Sequence, residues 1–117
     1  MAVKDMAFVA YSVKDVPRAI AFYRDLIGLK PSDSMFGEQW AEFDVGATTF
    51  GIGNGESIGI TPGSQFSAAF EVDDIANMRE RLKAKGVKVT ELFDGPVCMS
   101  CYVTDPDGNR FALHTRK

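Results

Sequence analysis

Residues 7–30 read AFVAYSVKDVPRAIAFYRDLIGLK. Val9, Tyr11 and Val13 alternate with Phe8, Ala10 and Ser12, which is the period of a strand. Asp15 is then placed to cap a helix, and Pro17 falls in the first turn, where its missing N–H does no harm. Val16, Ile20, Tyr23 and Ile27 fall on one helical face before Gly28 stops the helix. Residues 67–89, SAAFEVDDIANMRERLKAKGVKV, repeat this layout. Ala68, Phe70 and Val72 form the strand set, Asp74 caps, Ile75, Met78 and Leu82 make a shorter apolar stripe, and Gly86 stops it. Two copies of one supersecondary unit are therefore expected.

Shorter β-like runs follow each helix. In the first half these are residues 29–35, 39–45 and 48–53, with Gly46-Ala47 as a hairpin turn between the last two. In the second half they are residues 87–92, 98–104 and 110–115, with Asp105-Pro106-Asp107-Gly108 as the final turn. Each half reads β-α-β-β-β. The expected organisation is one domain over residues 1–117, with a first module at 1–54, a Gly/Ser/Pro-rich connector at 55–64 and a second module at 65–117.

The balance of 13 basic against 16 acidic residues leaves no broad basic surface, so neither nucleic acid nor an anionic membrane is an expected partner. Lys4, Asp5, Lys14 and Asp15 interrupt the N-terminal stretch before a signal core could form, and a soluble cytoplasmic protein is expected. Cys98 and Cys101 form a CxxC, but three residues apart on a strand their side chains point to opposite faces. The expectation is two free thiols.

Residues 13–30 (VKDVPRAIAFYRDLIGLK) and 105–114 (DPDGNRFALH), with a weaker match in 71–89, resemble the vicinal oxygen chelate superfamily. That superfamily includes glyoxalase I, extradiol dioxygenases, fosfomycin-modifying enzymes and bleomycin-resistance proteins. The resemblance implies an α+β fold in which two βαβββ modules form curled mixed sheets around a cavity, with the helices outside. It also implies a homodimer. Period-2 alternation then assigns the inward face: Phe8, Ala10 and Ser12; Trp40, Glu42 and Asp44; Ser67, Ala69 and Glu71; Ser100, Tyr102 and Thr104; Arg110, Ala112 and His114.

Metal-dependent members place His, Gln or Glu at four positions that correspond here to Phe8, Gly51, Ser67 and Ala112. Apart from the weak hydroxyl of Ser67, none offers a donor for a divalent cation. No metal and no cofactor are therefore expected. His114, the only histidine, lies two residues beyond Ala112 on the same face and is read as a ligand contact or a solvent-touching strand end. Residues 105–109 imitate the start of a calcium loop, but Arg110 and Arg116 occupy its required glycine and glutamate positions. The glycines of residues 51–55 are not followed by a helix that could cradle phosphate.

The expected site comprises Phe8, Trp40, Glu42, Glu71, Tyr102 and His114. The resemblance adds that fosfomycin-modifying members contact ligand through a tyrosine matching Tyr102. Aromatic faces and carboxylates together suit a small organic molecule, aromatic or cationic. The expected function is small-molecule binding, resembling bleomycin-resistance-type sequestering proteins. The alternative is a glyoxalase-like lyase or other enzyme of the superfamily, either metal-independent and acid–base or with a non-standard metal site.

Overall fold

In the computed structural model, residues 4–32, 38–65 and 68–117 are described. The chain forms two compact units, Met1–Pro62 and Gly63–Lys117.

The first unit runs β1 (Val9–Ser12), α1 (Val16–Ala21), a π-helical turn (Phe22–Ile27), β2 (Lys30–Pro31), β3 (Trp40–Val45) and β4 (Thr48–Gly53). Its sheet has the order β1-β4-β3-β2, with β1 parallel to β4 and the other pairs antiparallel. Asp15 caps α1 by accepting the Arg18 N–H at 3.0 Å. The helix buries Val16 and Ala19, and the π turn buries Phe22, Tyr23 and Ile27. Ile20, expected on that face, is only half-buried. The wider i→i+5 turn, closed by the Gly28 N–H on the Tyr23 carbonyl, changes the angular spacing so that adjacent Phe22 and Tyr23 both reach the core. There Tyr23 lies 5.1 Å from Phe50, and Tyr11 meets Phe50 edge-on at 5.3 Å. The β3–β4 hairpin turns at Gly46-Ala47, with Gly46 at φ 58, a backbone that favours glycine.

The second unit runs β5 (Ala69–Glu71), α2 (Ile75–Ala84), β6 (Lys88–Val89), β7 (Phe93–Asp94), β8 (Cys98–Thr104) and β9 (Arg110–Arg116). Its order is β5-β9-β8-β6, β7 also pairs with β8, and β5 is parallel to β9. Cys101, Val103, Phe111 and Leu113 are buried on one face of β8 and β9.

Two local expectations fail here for identifiable reasons. The run at 87–92 does not form one strand, because Thr90 Oγ accepts the Tyr102 N–H at 2.9 Å, so a side-chain oxygen serves β8 at that position. On α2, Arg79 is buried at 6% exposure while Met78 is half-buried. The Arg79 stem covers apolar surface while its Nε–H donates to the Thr90 carbonyl at 2.7 Å and its head meets Glu80 and Glu91. Cys98 and Cys101 are free thiols, and burial pushes the Cys101 thiol up from its ordinary value. No helix among the described residues is long and apolar enough to cross a membrane.

Candidate functional site

On the first unit, the strand face turned away from α1 carries Trp40 and Glu42 of β3, with Phe8, just before β1, against the indole. The glycines of β4 make room for the indole. A Cβ added at Gly51 would lie 2.6 Å from Trp40 Cζ2, and one at Gly53 would also run into the ring. Trp40 therefore lies flat over a strip with no side chains. Its Nε1–H donates to Glu42 Oε2 at 2.9 Å, and Phe8 meets its ring edge-on at 5.4 Å. Beside it is a hollow of about 160 Å³ bounded by Ala10, Ser12, Trp40, Ile58 and Ile60. Ser12 Oγ holds the hollow's wall, donating to the Ile60 carbonyl at 2.8 Å and accepting the Gly55 N–H at 3.1 Å. Residues 55–64, expected to be mere connector, are thus pinned to β1 at their first half. The hollow could take a single ring or a short alkyl group.

On the second unit, Ser100, Tyr102 and Thr104 of β8 share a half-exposed face with Arg110, Ala112 and His114 of β9. Arg110 lies over the Tyr102 ring, 5.0 Å from its centroid. A second hollow of about 300 Å³ opens there, bounded by Lys88, Thr90, Tyr102, Thr104 and Arg110 among others. At the far end of the same face His114 Nδ1 lies 2.6 Å from Glu71 Oε1. Glu71 Oε2 accepts the Arg116 N–H at 2.8 Å. The His114 hydrogen bond first, and the Arg116 N–H second, hold the Glu71 carboxyl below the usual carboxylate range. An ionised carboxylate only accepts, so the proton of the pair sits on Nδ1 and leaves Nε2 to face other chemistry.

The six expected site residues thus fall into three groups. Phe8 and Glu42 each contact Trp40, Glu71 and His114 form a pair, and Tyr102 is joined by Arg110. Arg110, Lys88 and Thr90 were not in the expected set. The alternation that places Ala112 and His114 on this face also places Arg110 there. Thr90 could not be found from the sequence, since its role depends on the break between β6 and β7.

Three of the four positions where the resemblance calls for metal ligands lie among the described residues. Phe8 is a ring beside Trp40, Gly51 is covered by the indole, and Ala112 is buried in the ladder between Ala69 and Tyr102. Ser67 lies outside the described residues. Among the described residues no group of three or more His, Cys, Asp or Glu side chains is placed to hold a metal ion. At the three described positions the side chains present do not fit the metal centre of the metal-dependent members.

Comparison with known proteins agrees with this architecture. Among solved structures, the antibiotic-binding protein TnmS3 from Streptomyces superposes with a TM-score of 0.84 at 23% identity, over 100% of this chain and 99% of that one. A protein named Probable lactoylglutathione lyase, chloroplastic, from Arabidopsis thaliana, is 31% identical over 95% of this chain, which spans 35% of that protein's length. Metallothiol transferase FosB from Staphylococcus epidermidis is 29% identical over 97% of this chain and 84% of its own. The family model for Glyoxalase/Bleomycin resistance protein/Dioxygenase matches residues 6–113, and with nearly the whole chain so covered, this protein belongs to that superfamily.

Proposed function

We propose that this chain is a small-molecule-binding protein of the sequestering kind, holding an organic ligand against the aromatic and polar sheet faces without a metal. The observation that carries this reading is Trp40 lying across Gly51: where the metal-dependent pattern calls for a donor, there is an aromatic surface. The likeness to a protein whose name says that it binds an antibiotic supports the same reading. We further propose a homodimer in the cytoplasm. Native mass spectrometry of protein purified without chelator is the test. A dimer free of stoichiometric metal, together with saturable quenching of the single tryptophan by aromatic ligands, is expected. Zinc, nickel, manganese or iron retained one per chain after desalting would overturn it.

The His114–Glu71 pair favours a second reading, acid–base catalysis without a metal. A histidine whose Nδ1 is held by a carboxylate presents Nε2 as a base, the arrangement general-base chemistry uses. Long-range ¹H–¹⁵N spectra of neutral His114 should show the Nδ1–H tautomer, and Glu71→Ala should shift it toward Nε2–H. The pair also makes stability depend on pH. Because the folded Glu71 carboxyl lies below its ordinary value, its contribution is complete above the ordinary glutamate range and fades as pH falls through the lowered value. An Nε2–H tautomer in the unmodified protein would remove the basis for this reading.

A further inference from the structure

The hollow of the second unit carries the same sign of charge as the cationic ligand that the sequence suggested, and so suits the opposite kind. Its boundary includes two cations, Lys88 and Arg110, and among the described residues that line it there is no Asp or Glu. Strand register explains how the cations come together. Lys88 of β6 pairs with Thr104 of β8, and Thr104 pairs with Arg110 of β9, so the three stand side by side across the sheet with the hydroxyl in the middle. Neighbouring strands lie about 4.8 Å apart, which sets the two cationic residues roughly 10 Å apart at the backbone. Long side chains rooted at that spacing can converge on one small group above Thr104.

The next row supplies the walls. Tyr102 and Thr90 line the hollow, and the Thr90 N–H donates to the Tyr102 carbonyl at 3.0 Å. Arg110 is held over the Tyr102 ring, 5.0 Å from its centroid, by the attraction of the aromatic face for a cation. A guanidinium ordered in this way spends less entropy when its N–H fork meets two oxygens. Arg79, through its bond to the Thr90 carbonyl, fixes the far wall from behind.

We infer that the Lys88–Thr104–Arg110 row is an oxyanion clamp and that the ligand of this protein carries a carboxylate or a phosphate group, with its body toward Tyr102. This rests on the binding reading above and names the class of its ligand. The hollow, about 300 Å³, is at the lower end of the range for small-ligand sites and holds a ring with one charged group.

The test is a titration of the full chain with benzoate, phenyl phosphate, benzyl alcohol and benzylammonium, followed by amide chemical shifts. Benzoate or phenyl phosphate should saturate shifts at Lys88, Thr104 and Arg110, and the tighter of the two identifies the oxyanion. Lys88→Gln and Arg110→Gln should each weaken that binding by about tenfold, and added salt should weaken it further. Lys88 is exposed, so its variant folds even if the Arg110 variant does not. If benzylammonium or benzyl alcohol moves the same amides as well as the anions do, or if Lys88→Gln leaves anion affinity unchanged, the clamp is refuted while the binding reading stands. If no probe of any charge binds to either hollow, both fall.

Discussion

Gly51→Ala will destabilise the first unit by about 1 kcal/mol and shift the emission of its tryptophan, and the same substitution will become stabilising once Trp40 is alanine. Replacing a strand glycine by alanine stabilises by roughly 0.5–1 kcal/mol through chain entropy when the backbone permits it, and Gly51 is not among the glycines with positive φ. Against this, the new methyl would sit 2.6 Å from Trp40 Cζ2 and 2.7 Å from Cη2. Overpacking of that kind costs about 1–3 kcal/mol. The clash wins in the unmodified protein because the indole can retreat only by giving up its bond to Glu42 and its edge contact with Phe8. In the Trp40→Ala background nothing remains to clash, and the sign reverses. Trp40 is the only tryptophan, so its fluorescence reports displacement directly, while urea melts of the four proteins give the coupling, about 2 kcal/mol. Additive effects in that cycle would mean that the indole does not rest on Gly51. Gly51→Glu, which restores a ligand-type residue, should cost more than alanine and still retain no metal.

This interlock shows where sequence reading stops. Strand alternation assigned Trp40, Glu42, Tyr102 and His114 to the face of each sheet expected to point inward, because a period of two needs no knowledge of partners. That the glycines at 51 and 53 make room for the indole of Trp40 depends on the β3–β4 register, Glu42 opposite Gly51 and Trp40 opposite Gly53. Arg79 was hidden for a different reason. A charged residue on an apolar helix face is normally counted as solvated, and only the position of the Thr90 carbonyl explains its burial. The charge around the candidate site was the least legible property. Glu42 and Glu71 suggested a cation when taken as a list, yet in the folded chain each already accepts a hydrogen bond from a neighbour, Trp40 and His114 respectively. The cations Lys88 and Arg110 come together only through the pairing of β6, β8 and β9.

Asn109→Ala should be the most damaging polar substitution in the second unit, at about 3 kcal/mol. Asn109 is fully buried. Its Oδ1 accepts the N–H groups of Gly63 and Ser64 at 2.9 and 2.8 Å, and its Nδ2 donates to Asp105 Oδ2 at 3.0 Å. Alanine removes all three bonds, and each buried group that loses a partner costs about 1–3 kcal/mol. The sum stays near the lower end because the exposed turn lets some water in. The following residue depends on the same tie, since the Arg110 N–H donates to the Ser64 carbonyl at 2.6 Å, so the start of β9 should loosen and its amides should lose exchange protection. Asn109→Asp separates the bonds from the shape. It keeps an acceptor for Gly63 and Ser64 but sets a second carboxylate oxygen against Asp105 Oδ2, where like charges resist joint ionisation. Protonation in acid relieves that repulsion, which the separated groups of the unfolded chain do not feel, so stability is greatest in acid and falls as pH rises. Denaturant melts from pH 4 to 8 should show Asn109→Asp recovering in acid while Asn109→Ala does not. Parallel pH profiles for the two variants would mean that the Asp105 contact contributes nothing, and that the loss in Asn109→Ala comes from the Gly63 and Ser64 bonds alone.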